Sequence, residues 1–259
     1  MSQNKATAKH LHREMVVADR TMMQKSTLKR MNKLLRSVDQ HIVSLVDPDS
    51  YEAEQYRKLR YVIEEHHKQG EGLVIGICSP VARDGKSLTA INLAGALAQD
   101  ASIRVLLVDV DLRRQSETMK GSLPFGNPDG VGLVDVVMGR TLTLRDVIQA
   151  IPPFDLNLDM IETGESSVSP YEILRSPKFK EFIVNARRLY DYVILDAPPV
   201  VPVSDCRVIG KHVDAFLMVV SANHTPRAML EEALNLMNPE KMMGLVFNRS
   251  EQMSAKYYG

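Results

Sequence analysis

Residues 77–94 read ICSPVARDGKSLTAINLA, and this stretch carries the strongest structural signal in the chain. The apolar residues that end at Ser79 predict a β-strand, a short loop follows, and Gly85-Lys86-Ser87 opens a predicted helix. A strand, a loop and a helix in this order are the context in which a phosphate-binding Walker A loop occurs. The tripeptide GKS often arises by chance, so its placement between strand and helix is what favours a phosphate site.

The predicted loop supplies the chemical groups that a nucleotide phosphate requires. Backbone N–H groups of the loop and of the helix N-terminus bind phosphate oxygens, the lysine adds positive charge, and the serine hydroxyl is a ligand for Mg²⁺. One position departs from the usual pattern GxxxxGK[ST], because Pro80 stands where the first glycine is expected. The residues predicted to contact a nucleotide here are Ala82, Arg83, Asp84, Gly85, Lys86, Ser87 and Leu88.

The rest of the chain alternates between short apolar strands and helical segments. Strands are predicted at residues 73–79, 104–110, 156–163, 192–197, 215–220 and 243–248, with helices at 51–69, 87–99 and 176–190. Strands that are apolar on both faces and separated by helices indicate a parallel sheet covered on both sides. The predicted fold class is therefore α/β and P-loop NTPase-like, with a mostly parallel sheet and helices on both faces.

Three acidic residues directly follow the apolar runs of predicted strands. Asp109 and Asp111 end the strand after the loop helix, in RVLLVDVDLRR, and Asp196 ends a later strand, in YDYVILDAPP. Ligands of parallel sheets bind at the carboxyl ends of the strands, so the three acids are expected to converge near Lys86. One aspartate at a strand end is often only a turn former or a helix cap, whereas three after apolar runs favour a site.

The composition argues against several classes of protein. The 259 residues carry 32 Lys and Arg against 32 Asp and Glu, a balance that disfavours a nucleic-acid-coating protein. Two distant cysteines, Cys78 and Cys206, disfavour a disulfide scaffold or a cysteine-rich zinc site. No apolar run approaches the roughly 18 residues of a membrane span, and the start MSQNKATAKHLHRE lacks the apolar core of a signal peptide. We therefore expect a chain that reaches a membrane only through another protein.

The charge pattern predicts three segments. Residues 1–50 are expected to form a basic arm, partly disordered or helical, because residues 1–40 contain 9 Lys and Arg against 3 Asp and Glu. Residues 51–248 hold the strands, the loop and the acids, and form the predicted P-loop domain. Residues 249–259 lack a strand or helix signal and are predicted to be a flexible tail.

Three motifs in this order resemble those of a known family. The phosphate loop at 79–87, the acidic box LLVDVDLR at 106–113 and LDAPP at 195–199 are similar to motifs of the bacterial tyrosine kinases, or BY-kinases, of exopolysaccharide and capsule assembly. The DxDLR box is the specific part, since ordinary P-loop ATPases lack it. The resemblance covers residues 50–259, and it is closer still to the soluble kinase partners of polysaccharide co-polymerases. It implies a protein tyrosine autokinase that uses ATP and Mg²⁺.

The resemblance also implies roles for single residues. The catalytic residues implied are Lys86, Asp109 and Asp111, with Asp109 as the base for the tyrosine hydroxyl. The magnesium ligands implied are Ser87, Asp111 and Asp196, the last in the position of a Walker B acid. The family loop commonly carries Pro-Gly where this chain has Ala82-Arg83.

Three other features follow from the same resemblance. Asn248, after GLVF, matches a position near the adenine ring, although a turn asparagine is an equally good interpretation. Tyr257 and Tyr258 match the phosphoacceptors of the family tail, where longer tyrosine clusters are usual, and the alternatives are chance or a tail that folds back. The residues that match the ExxRxxR oligomer motif are Glu54, Arg57 and Arg60; the alternative is an ordinary surface ion pair.

Two competing functions remain open at this point. A partitioning or cell-division ATPase of the ParA/MinD type shares the fold, but it carries a signature lysine in a KGGxGK loop that this sequence lacks. A non-catalytic, nucleotide-binding adaptor of a co-polymerase is the other alternative. The leading hypothesis is a cytoplasmic kinase that forms a ring oligomer, does not bind nucleic acid, and is held at the inner face of the membrane by a transmembrane co-polymerase that activates it. Its output would be control of polysaccharide chain assembly and export.

Overall fold

The computed structural model describes residues 37–67, 71–113, 123, 130–139, 142–151, 154, 156–165 and 167–250. The chain divides by its internal contacts into two units, Met1–Val38 and Asp39–Gly259. The first unit lies almost wholly outside the described residues, and so does most of the predicted tail. The predicted division into an arm, a domain and a tail therefore stays a prediction, and the fold that follows is that of the second unit.

Within the described residues, the strands are β1 Leu73–Ser79, β2 Val105–Asp109, β3 Gln149–Ala150, β4 Leu158–Ile161, β5 Tyr192–Pro199, β6 Ala215–Ser221 and β7 Met242–Asn248. They form one sheet in the order β3-β4-β2-β5-β1-β6-β7. The short β3 pairs with β4 in the antiparallel sense, and the other neighbours are parallel. Every residue of β1, β2 and β5 is buried, as expected of central strands that are covered on both faces.

The helices of the described residues are α1 Val43–Val46, α2 Tyr51–Glu64, α3 Lys86–Leu97, α4 Leu133–Val137, α5 Leu144–Val147, α6 Pro170–Arg175, α7 Pro177–Leu189, α8 Asp205–Ile209 and α9 Arg227–Leu236, with a 3-10 turn at Pro239–Lys241. Helix α3 packs on β1, β2 and β5, and α1 and α2 pack on α3. Phe179 and Phe182 of α7 share a buried cluster with Val74 of β1, whose neighbour Ile75 points to the opposite face. Helices thus cover both faces, and the predicted fold class is confirmed.

Local sequence signals explain where the two long surface helices begin. Ser50 precedes α2, and its Oγ accepts a hydrogen bond from the backbone N–H of Ala53 at 3.2 Å. Ser176 caps α7 in the same way through the N–H of Phe179 at 3.1 Å, and Pro177 occupies the first helical position. Both arrangements satisfy a backbone donor that the first turn of a helix leaves without a partner.

The six predicted strands are all present, although the segment predicted at 156–163 is a strand only over Leu158–Ile161. The helix predicted over 51–69 ends at Glu64. Sequence reasoning missed β3, α4, α5, α6 and α8, because elements of two to six residues are too short to show a period. It also missed α9, although this helix has an apolar side on which Ala233 is buried and Leu230 and Leu236 pack against the core while partly exposed. None of the described helices has the length and apolarity needed to cross a bilayer.

Candidate active site

The phosphate loop, residues 80–85, is bent tightly between β1 and α3. Gly85 has a φ angle of 93° and stands immediately before α3. A side chain at Gly85 would also meet Asn248, since a Cβ there would lie 2.0 Å from Asn248 Nδ2. Arg83 has a φ angle of 71°, in the left-handed region that costs a non-glycine residue about 1–2 kcal/mol. Two of the predicted phosphate contacts, Arg83 and Gly85, therefore have backbone conformations with a positive φ angle.

The buried side chain of Asp84 stabilises this loop through hydrogen bonds. Its carboxylate is fully buried, and Oδ1 accepts a hydrogen bond from Thr225 Oγ1 at 2.8 Å and lies 3.2 Å from His224 Nδ1. Oδ2 accepts a bond from the backbone N–H of Val81 at 3.3 Å. The carboxylate is thus directed at its own chain, so the predicted nucleotide contact of Asp84 concerns its backbone. Sequence reasoning missed Thr225 and His224, because no motif links them to the loop.

Asn248, the last residue of β7, lies against the same loop. Its Nδ2 donates a hydrogen bond to the backbone carbonyl of Asp84 at 2.9 Å, and its Oδ1 accepts one from the N–H of Arg249 at 2.9 Å. The side-chain amide therefore supports the loop directly. The predicted contact of Asn248 with an adenine ring remains a prediction.

Three buried carboxylates lie together at the carboxyl edge of the sheet, and two of them contact Lys86; we call Asp109, Asp111 and Asp196 the aspartate cluster. Lys86 Nζ lies 3.0 Å from Asp111 Oδ2, 3.0 Å from Asp196 Oδ1 and 3.4 Å from Ser87 Oγ. Asp109 and Asp196 are register partners across β2 and β5, and Asp109 Oδ1 accepts a bond from the N–H of Asp111 at 3.0 Å. The structure thus brings together the acids that the strand ends predicted.

Burial and mutual repulsion shift the pKa values of this cluster. Burial disfavours the charged form of Asp109, and with the added repulsion from Asp196 it holds the Asp109 pKa well above its ordinary value. Burial also raises the pKa of Asp196, although the Lys86 ammonium opposes that shift. For Lys86, burial by itself favours the neutral form, but attraction to Asp196 and Asp111 outweighs it and the pKa is raised. The lysine is therefore charged, while Asp109 has the strongest tendency to hold a proton.

The donor set fits a magnesium ion that is shared with a nucleotide. In the described part of the chain, no group of three or more His, Cys, Asp or Glu is placed to hold a metal with protein ligands alone. Mg²⁺ is usually bound by one or two carboxylates together with substrate phosphates. Ser87, Asp111 and Asp196 all lie around the Lys86 ammonium, so they fit a Mg²⁺ ion that is bound jointly by carboxylates and by the phosphates of a nucleotide.

The residues of the ExxRxxR motif are engaged within their own chain. Arg57 Nε donates to Glu54 Oε2 at 2.6 Å, and its Nη1 donates to the carbonyl of Pro48 at 2.5 Å. Arg60 Nε donates to Glu64 Oε1 at 2.6 Å, and its Nη1 donates to a backbone carbonyl at the end of α3. A contact with another copy of the chain would therefore have to compete with these bonds. The predicted phosphoacceptors at 257 and 258 lie outside the described residues.

The site and the sheet place this chain among the P-loop nucleotide-binding proteins, because the loop joins a central parallel strand to a helix that begins at its lysine. The family described as AAA domain matches residues 79–224. A tyrosine-protein kinase, YwqD, of Bacillus subtilis is 30% identical over 225 residues, which cover 86% of this chain and 91% of the relative. The chain belongs to the family of bacterial tyrosine-protein kinases, and the resemblance inferred from the three motifs is confirmed.

Further comparisons agree on family and fold. The tyrosine-protein kinase ptk of Acinetobacter johnsonii is 31% identical over 88% of this chain, which spans only 30% of that longer protein. The crystal structure of the chimerical protein CapA2B2 superposes with a TM-score of 0.73 at 26% identity, covering 83% of this chain and 92% of that one. Solved ParA and MinD proteins also superpose, at under 25% identity, and these indicate a common fold alone.

Proposed function

We propose that this chain transfers the γ-phosphoryl group of ATP to the hydroxyl group of tyrosine, with Mg²⁺ bound at the same site. The observation that carries the proposal is the position of Lys86 Nζ, 3.0 Å from both Asp111 Oδ2 and Asp196 Oδ1 at the carboxyl edge of the sheet. Phosphoryl transfer depends on positioning and on compensation of charge, and this cluster offers both. Membership of the tyrosine-protein kinase family supports the same reaction.

Each group of the site has a distinct task in this proposal. The loop amides and Lys86 hold phosphate oxygens, and Ser87, Asp111 and Asp196 hold the metal. Mg²⁺, when bound, supplies charge that neutralises the phosphate oxygens during transfer. Asp109 accepts the proton of the tyrosine hydroxyl. Its raised pKa makes it a stronger base than an ordinary aspartate, and the bond from the Asp111 N–H fixes one of its oxygens.

We assign the acceptor role to Tyr257 and Tyr258, which match the tyrosines of the family tail. Copies of the chain would phosphorylate one another in a ring, with Arg57 and Arg60 meeting acids of the next copy. Each phosphate adds about −1.5 to −2 charges, so phosphorylated tails would be repelled by the aspartate cluster of a neighbour and would loosen the ring. The proposed ring contact requires both arginines to exchange their present partners within the chain.

The proposed output is control of exopolysaccharide or capsule chain assembly and export. The activator would be a transmembrane polysaccharide co-polymerase, which would also hold this cytoplasmic chain at the inner face of the membrane. Contact with the membrane would then be indirect. The equal numbers of acidic and basic residues support the view that nucleic acid is not a partner.

The test is to incubate the purified chain with ATP and Mg²⁺, with and without the cytoplasmic segment of a co-polymerase, and to map phosphotyrosine by mass spectrometry. We expect phosphate on Tyr257 or Tyr258 in the wild type and none in Lys86→Ala. Lys178→Ala, which removes an exposed lysine of α7, is the matched control and should behave as the wild type. Release of free phosphate with no phosphotyrosine would favour the partitioning-type ATPase. Nucleotide binding with neither product would favour the adaptor.

A further inference from the structure

A cleft of about 280 Å³ lies where β2 and β4 end, and two of its lining residues are the next in the chain after Asp111 of the aspartate cluster. Leu112 and Arg113, which directly follow Asp111, form one part of its wall. The other apolar residues of the wall are Val134, Val168, Pro170 and Ile173. Neither the phosphate loop nor the predicted nucleotide contacts take part in this cleft, so its role is separate from nucleotide binding.

The order of the strands places the cleft and the phosphate loop on opposite sides of the aspartate cluster. The loop follows β1, Asp196 is in β5, Asp109 ends β2, and the cleft continues to the end of β4. These four strands are successive neighbours in the sheet, in the order β1, β5, β2 and β4. A molecule that reaches the cluster from the cleft therefore approaches it from the side that faces away from the loop.

Phosphoryl transfer imposes a direction of approach. The attacking and leaving oxygens lie roughly in line on either side of the transferred phosphorus, so the acceptor must arrive opposite to the departing nucleotide. We propose that the cleft beside Arg113 binds the side chain of the acceptor tyrosine, and we call it the acceptor cleft; this inference rests on the proposed function. The phenol oxygen forms the new bond to the γ-phosphorus of ATP, the bridging oxygen leaves with ADP, and the phenol proton passes to the Asp109 carboxylate.

The size and the lining of the acceptor cleft suit one aromatic ring. An apolar cavity of about 150 Å³ is enough to hold benzene, so a volume of about 280 Å³ accommodates a phenol ring and the carbon that joins it to the backbone. The wall combines aliphatic side chains with Arg113 and Thr163, and this mixture suits the amphipathic ring of tyrosine, which has an apolar body and a polar tip. Serine carries its hydroxyl one carbon from the backbone and would leave the cleft empty. The cleft thus gives a physical reason for selecting tyrosine over serine.

Two sets of bonds hold the acceptor cleft open in one shape. Arg113 Nε and Nη2 donate to the two oxygens of Asp205 at 2.7 and 3.0 Å, and Asp205 is buried. The charge of Arg113 is therefore compensated by a residue at the start of α8. On another wall, the backbone N–H of Val134 donates to the carbonyl of Thr163 at 2.9 Å, which ties α4 to the end of β4. Because the cleft is already formed before the acceptor arrives, little conformational entropy is lost when the acceptor binds.

The test fills the cleft and measures transfer to a peptide. Val168→Phe adds a ring at a half-buried wall position, and Val184→Phe adds the same ring on the exposed side of α7 as the matched control. The acceptor is the peptide EQMSAKYYG, which copies residues 251–259. We expect kcat/KM for the peptide to fall at least tenfold in Val168→Phe, chiefly through KM, with the affinity for a fluorescent ADP analogue unchanged. Peptide kinetics within twofold of the wild type in Val168→Phe would overturn the proposal.

A second measurement needs neither activity nor a variant. The peptide EQMSAKFFG, which keeps the rings and lacks the hydroxyls, should bind the ADP-loaded wild type at least tenfold more tightly than EQMSAKAAG in a calorimetric titration. It should also compete with the tyrosine peptide and not with ATP. Equal binding of the two peptides would overturn the acceptor cleft even if tyrosine is phosphorylated. Preferential binding of the phenylalanine peptide without any phosphotransfer would instead contradict the proposed kinase reaction and leave the aromatic cleft supported.

Discussion

Replacing Lys86 by methionine removes the positive charge that lies between Asp111 and Asp196. Each ion pair at 3.0 Å is worth about 5 kcal/mol at an effective dielectric constant near 20, before the cost of taking the charges out of water is subtracted. Breaking a buried pair by removing one partner costs about 3–5 kcal/mol in practice. We expect Lys86→Met to lower the free energy of unfolding by about 3 kcal/mol at pH 8, at the lower end of that range. The reason is that Asp111 and Asp196 partly take up protons, which reduces the repulsion between them.

The pH dependence of this loss follows from the pKa shifts. Lys86 lowers the pKa of Asp196, so its removal raises that pKa further above the unfolded value of about 3.9. A carboxyl whose pKa is higher in the folded state makes folding less favourable as pH rises, and the penalty disappears as pH falls towards the unfolded value. The loss of unfolding free energy in Lys86→Met, relative to the wild type, should therefore be large at pH 8 and clearly smaller at pH 5.

Thermal and urea unfolding at both pH values measure this effect. A loss of about 3 kcal/mol corresponds to a fall in Tm of about 6–12 °C for a unit of this size. Adding Asp196→Asn to Lys86→Met should recover part of the lost stability, because it removes one of the buried negative charges that no longer has the lysine as its partner. Lys178→Met, on the exposed surface of α7, should leave Tm unchanged. An equal loss at pH 5 and pH 8, or no loss at either, would refute the reasoning.

Three further predictions concern the loop, the acceptor cleft wall and the proposed ring. Gly85→Ala should lower the free energy of unfolding by about 2 kcal/mol in urea titrations, because alanine is strained at a φ of 93° and its methyl group displaces a side-chain amide that supports the loop. Arg113→Ala should cost about 1–2 kcal/mol in the same assay, since it leaves the buried Asp205 without its partner and Arg113 itself is partly exposed. Arg57→Ala combined with Arg60→Ala should yield a monomer by light scattering; an unaltered oligomer would speak against the ring contact.

The sheet and the meeting point of the acids were predictable from the sequence for a clear physical reason. Strands that are buried on both faces form continuous apolar runs, and the carboxyl ends of parallel strands share one edge. Asp109 and Asp196 could therefore be placed together without any knowledge of the strand order. The actual register, in which these two residues are direct partners across β2 and β5, depends on pairing that no local pattern contains.

Other parts of the site depend on long-range contacts and were not predictable. Thr225 bonds to Asp84 from a loop that follows β6, and Arg113 bonds to Asp205 at the start of α8. The acceptor cleft is formed where the segments around α4 and α6 cross the ends of β2 and β4, and both helices are too short to carry a periodic signal. Such short helices and strands can be located only from the tertiary structure of the sheet on which they pack.

The central claim is that the aspartate cluster moves a phosphoryl group to tyrosine with Asp109 as the base. The most direct measurement is single-turnover formation of phosphotyrosine by the wild type and by Asp109→Asn, with ATP affinity determined on the same samples. We expect ATP affinity within about twofold of the wild type and a transfer rate at least 100-fold lower in Asp109→Asn, the range that a general base contributes. Transfer by Asp109→Asn at the wild-type rate would contradict the account.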